Sequence, residues 1–71
     1  MNWELIQSKL GGYYQQLNLG SKHLEIGAYY EFDKTEPKYY WWKVVAPNET
    51  SSGIANSEAG AKVRAIEVAH A

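Results

Sequence analysis

Residues able to do chemistry are few in this sequence. The two histidines, His23 and His70, have no companion at metal-ligand spacing: the chain contains no cysteine, no HExxH pattern and no carboxylate cluster at ligand distance. A solvated helix end accounts for His70, and His23 reads as a residue at a strand edge. Ser51, Ser52 and Ser57 have no base in view. Gly11-Gly12 is followed by tyrosines, not by the Lys-Ser/Thr of a phosphate-binding loop. Catalytic residues, metals and cofactors are therefore not expected, and the chain reads as a non-enzymatic binding module. Its recognition chemistry is concentrated in Tyr39-Tyr40-Trp41-Trp42-Lys43-Val44-Val45.

Four aromatic residues followed by β-branched ones make that stretch a strand. Strand side chains alternate, so Tyr40, Trp42 and Val44 point one way and Tyr39, Trp41, Lys43 and Val45 the other. One face builds a core; the other presents large rings. Because Trp and Tyr dominate interface hot spots and charged residues suit a rim, the candidate protein-binding set is Tyr29, Glu31, Tyr39, Trp41 and Lys43. The competing structural reading is that these rings only stabilise neighbouring strands, shielded by the Lys43 stem or a helix. The same rings could also stack single-stranded bases, which the neutral charge disfavours, or pair two copies of the chain.

The elements that would hold this face are read from periodicity. Asn2 can cap a helix beginning at Trp3, and Trp3, Ile6, Leu10, Tyr13 or Tyr14, and Leu17 recur at spacings of three and four. A single helix to about Asn18, closed by Gly20, is preferred. The alternative is a short helix ending at Gly11-Gly12, followed by an edge strand over Tyr13–Leu19. From His23 the period becomes two: Leu24, Ile26, Ala28, Tyr30 and Phe32 form an inner face. Asp33–Lys38 reads as a hairpin loop, the aromatic strand follows, and Ala46–Thr50 turns the chain into a weaker strand over Ser51–Asn56. Asn48-Glu49-Thr50 matches a glycosylation sequon but reads most simply as part of that turn. Placing Tyr30 opposite Trp42 and Ala28 opposite Val44 sets Tyr29 against Lys43 and Glu31 against Trp41, with Tyr29, Tyr39 and Trp41 on one outer face. Ser57 caps a last helix whose stripe is Ala59, Val63, Ile66 and His70. The expected fold is α+β: one domain over residues 1–71, with a three-stranded antiparallel sheet packed against helices in the order αβββα.

Composition limits the partners. Seventy-one residues make one small domain, and seven basic against eight acidic residues leave a net charge of −1. No strong field steers the chain onto nucleic acid or an anionic membrane. No apolar run approaches the ~20 residues of a membrane span, and Met1-Asn2-Trp3-Glu4 does not start like a basic signal peptide. A cytoplasmic location is expected.

The segment Gly53-Ile54-Ala55-Asn56-Ser57-Glu58-Ala59-Gly60-Ala61-Lys62-Val63-Arg64-Ala65-Ile66-Glu67-Val68-Ala69 resembles the end of the double-stranded-RNA-binding domain. That family closes its third strand with a glycine-rich turn, then a serine, two lysines, a variable residue and Ala-Lys. Gly53, Ser57, Ala61, Lys62, Ala65 and Ala69 fall in step. The resemblance implies the αβββα fold and RNA contacts from Lys34 and Lys38 in the first hairpin loop and from Lys62 and Arg64 in the helix. The lysine positions that would reach phosphates are Glu58 and Ala59 here, which removes contacts and adds repulsion. The resemblance therefore implies an inherited fold with a lost or altered ligand. The pattern of aromatic strand, turn and alanine-rich helix is also loosely similar to small phage and prophage accessory proteins. The expected function is binding a protein partner, as adaptor or inhibitor, by a monomer or homodimer. Nucleic-acid binding of the dsRNA type is the alternative.

Overall fold

A computed structural model describes residues 2–9 and 12–71. Its elements are strands β1 (Glu4–Gln7), β2 (Tyr13–Leu19), β3 (Lys22–Tyr29), β4 (Tyr39–Val45) and β5 (Thr50–Ala55), then helix α1 (Glu58–His70). The strands form one antiparallel five-stranded meander in the order β1-β2-β3-β4-β5. The fold is α+β, as expected, but the αβββα order with three strands is corrected: residues 4–7 and 13–19 are strands, and α1 is the only helix among the described residues.

The correction has a local cause. Alternation within Tyr13–Leu19 fits the pleat as well as the three-and-four spacing fits a helix: Leu17 is buried on one face, and Tyr14 and Gln16 lie on the other. Leu19-Gly20-Ser21-Lys22 then closes a two-residue hairpin, with Leu19 paired to Lys22. Gly20 has φ of 60° while Ser21 is not left-handed, the signature of a type II′ turn with glycine first. Gly20 is thus a hairpin residue and not a helix cap. The rejected strand over Tyr13–Leu19 is the observed one, although it lies inside the sheet between β1 and β3. Leu10 and Gly11, which the expected helix includes, lie outside the described residues.

The central hairpin keeps its expected faces but not its register. Ile26 opposes Trp42 and Leu24 opposes Val44, so Ala28 meets Tyr40 and not Val44. Glu25, not Tyr29, stands opposite Lys43, and Gly27, not Glu31, stands opposite Trp41. The strand stops at Tyr29, which leaves a longer loop over 30–38. Tyr30, expected in the core, is 51% exposed, and Phe32 is 90% exposed. A four-residue slip in pairing preserves parity, which is why the inner and outer rows survive it.

α1 packs on β3, β4 and β5. Ser57 caps it as expected, its Oγ accepting from the Gly60 N–H at 2.9 Å. Lys22 Nζ donates to the Ala69 carbonyl at the other end. The buried stripe is Ala61, Ala65 and Ala69; of the expected stripe only Ile66 packs against the core, partly buried, while Ala59, Val63 and His70 face solvent. Methyl-sized side chains let the helix sit close to Leu24, Ile26, Trp42 and Val44, which with Leu17 complete the core. No helix among the described residues is long and apolar enough to cross a membrane.

Candidate protein-interaction face

Antiparallel partners share a face, so the register defines cross-strand rows on the side of the sheet away from α1. One row runs Ile6, Tyr14, Gly27, Trp41, Ile54 across all five strands. Beside it stand Tyr29 and Tyr39, whose rings stack with centroids 4.9 Å apart and planes inclined by 15°. On the other flank lies a polar row, Glu4, Gln16, Glu25, Lys43, Ser52, and beyond it Asn18, His23, Val45 and Thr50. The outer face is therefore divided into an aromatic half and a polar half.

Gly27 organises the aromatic half. A Cβ at this position would lie 2.4 Å from the Trp41 ring, so the indole lies flat over the glycine backbone. The neighbouring Trp42 does the same on the inner face: a Cβ on Gly53 would come within 2.6 Å of its ring. The two glycines accept two consecutive indoles on opposite faces. Trp41 is half-buried by this packing, while Ile54 remains 67% exposed and Tyr29 46% exposed.

The polar half is largely self-satisfied. Gln16 Nε2 donates to Glu4 Oε1 at 2.7 Å. His23 stands between Asn18 Oδ1 (2.8 Å) and Glu25 Oε2 (2.9 Å). It lies within β3, and its ring belongs to this network. Lys43 is exposed and forms no ion pair among the described residues. It is an available cation beside Trp41.

Of the expected protein-binding set, the structure brings Tyr29, Tyr39, Trp41 and Lys43 to one face and removes Glu31. That residue lies in the 30–38 loop, where its Oε1 pairs with Lys38 Nζ at 2.8 Å. The hydrogen bond from Lys38 to Glu31, and then the carboxylate's charge, raise the lysine pKa above its ordinary value. This loop also holds Asp33 in the left-handed region (φ 65°) and lines an open cavity of about 330 Å³ with Glu31, Lys34, Thr35, Glu36, Pro37 and Lys38. Tyr14, Ile6 and Ile54 are the members of the face that sequence reasoning missed. The signal for Tyr14 was the Gly20-Ser21 hairpin, which fixes β2 beside β3, whereas Ile6 reaches the face through the β1–β2 pairing.

The basic residues of the nucleic-acid alternative are mostly engaged. Lys62 Nζ lies 3.5 Å from Glu58 Oε2 and 5.7 Å from the Trp3 ring centroid. Arg64 stands 3.9 Å from Glu67 and 6.0 Å from the Trp42 ring centroid. With Lys38 held by Glu31, Lys34 alone of the four has no ion-pair partner among the described residues. Among the described residues, no group of three or more His, Cys, Asp or Glu side chains is arranged to hold a metal. Comparison with protein-family models, with curated proteins and with solved structures finds no match.

Proposed function

We propose that this chain is a small, non-enzymatic binding module that docks a protein partner on the aromatic half of its outer face. The observation that carries the reading is the row Ile6, Tyr14, Gly27, Trp41, Ile54, with the Trp41 ring lying over Gly27 and the Tyr29–Tyr39 stack beside it, on a face that α1 does not cover. Rigid aromatic rings lose little entropy on binding and supply the area on which interface energy concentrates. The polar rows form one rim. Because Glu4 and Glu25 are already engaged while Lys43 is not, the partner this face fits is an apolar protein surface bearing a carboxylate next to its apolar patch. An adaptor or inhibitor acting on another protein, including one of phage or prophage origin, fits this design.

The nucleic-acid alternative is weaker on specific grounds. Three of its four basic residues face acids of the same chain, and the first helix from which the resembling family delivers part of its contacts is replaced by strands. The test is capture of a partner by the wild type beside Trp41→Ala and Lys43→Glu, with folding of each variant verified by its thermal transition. Loss of the captured protein with both variants supports the reading. Retention with both, or a complex with dsRNA at about 150 mM salt that Lys62→Glu abolishes, overturns it.

A further inference from the structure

α1 leaves part of the inner face uncovered. Beside its first turn, over β2 and β3, a hollow of about 190 Å³ opens between sheet and helix. Ala28 lies in its floor. Tyr40 stands opposite Ala28 on β4, and the β2–β3 register, continued by one residue from Tyr14↔Gly27, brings Tyr13 to its other side. A methyl group between two phenols makes the depression. Tyr30 and Leu5 extend the walls, and Gln15 and Glu58 close the helix side. Leu5 and Tyr13 are 65% and 63% exposed, so the described residues do not fill the space. None of the three tyrosine hydroxyls has a hydrogen bond among the described residues.

The hollow is lined by one acidic group, whose ion-pair partner Lys62 stands outside the lining. Glu58 is the only acidic or basic side chain in the lining among the described residues. Its Oε1 accepts from Gln15 Nε2 at 3.2 Å, which fixes the carboxylate against the sheet, and its Oε2 is 3.5 Å from Lys62. Tyrosine π-faces attract cations, most strongly cations that shed water easily. The volume lies below the roughly 300–1,000 Å³ of pockets for drug-sized ligands, which limits the occupant to a head group and a short stem. We propose that this hollow binds the head group of a small quaternary ammonium solute, held by Tyr13, Tyr30 and Tyr40 with Glu58 as counter-charge. The site lies on the opposite side of the sheet from the docking face and does not depend on it.

Amide chemical shifts of the full chain, titrated with choline and separately with its neutral isostere 3,3-dimethylbutan-1-ol, test the proposal. Choline is expected to shift the amides of Tyr13, Gln15, Ala28 and Tyr40, with the isostere binding roughly tenfold more weakly. Glu58→Gln should weaken choline binding several-fold. Lys62→Ala, which releases the carboxylate from its ion pair, should tighten it, and no general loss of folding can produce that gain. Equal binding of the isostere, shifts by a neutral sugar in place of choline, or no choline shifts up to about 50 mM overturns it.

Discussion

Gly27 and Gly53 occupy equivalent roles under the two indoles, but a methyl group at each meets different surroundings. Trp41 lies over Gly27 on an open face, so its ring can swing into solvent when Gly27→Ala introduces a Cβ 2.4 Å from it. Trp42 is only 7% exposed, beneath α1, and has nowhere to go when Gly53→Ala does the same. Gly53→Ala should therefore cost about 1–3 kcal/mol, the range for overpacking a core, and Gly27→Ala distinctly less. Urea unfolding measures both, and a red-shifted tryptophan emission in Gly27→Ala alone marks the freed Trp41 ring. At the same scale, Glu31 holds the Lys38 ammonium with a raised pKa. A raised folded-state value means the pair supports the loop at pH below the ordinary lysine pKa and is lost as pH climbs through the raised one. A side-chain NMR titration should find Lys38 deprotonating at higher pH than in Glu31→Gln.

Among the elements, α1 is the one whose distance from the sheet is set by single atoms. Ala61 and Ala65 are fully buried, so Ala65→Leu forces extra carbons into a closed interface and should destabilise by about 1–3 kcal/mol. Val63→Ala, on the solvent side, should remain within about 0.5 kcal/mol, and thermal unfolding separates the two. Ser57→Ala removes the side-chain cap at the N-terminus of the helix and should cost about 1 kcal/mol. The sequence announces this helix through Ser57 and the aromatic strand through its residue types, and both appear where expected. The N-terminal half is harder to read because Ile6, Tyr14 and Leu17 satisfy a helical stripe and two strand faces equally well, and only Gly20-Ser21 separates the two. Register is harder still. The pleat specifies faces but not sliding by an even number of residues, and no local signal stops β3 at Tyr29 before Tyr30 and Phe32. Of the candidate face, Tyr29, Tyr39, Trp41 and Lys43 follow from alternation, whereas Ile6, Tyr14 and Ile54 require the tertiary pairing.

At the level of the whole molecule, one sheet is used from two sides. The inner side is packed by α1 over β3–β5 except at the hollow beside its first turn, and the outer side stays open, its aromatic half continuous from β1 to β5. In the proposed reading a partner covers this surface, and light-scattering mass decides whether that partner is a second copy. The most direct test of docking through this face is photo-crosslinking in the native lysate, with a benzophenone residue introduced at Ile54 on the outer face or at Val63 on the exposed side of α1. The prediction is a discrete protein adduct from position 54 that is absent from position 63 and is lost when Lys43→Glu is added. No adduct at 54, or the same adducts from both positions, would contradict it.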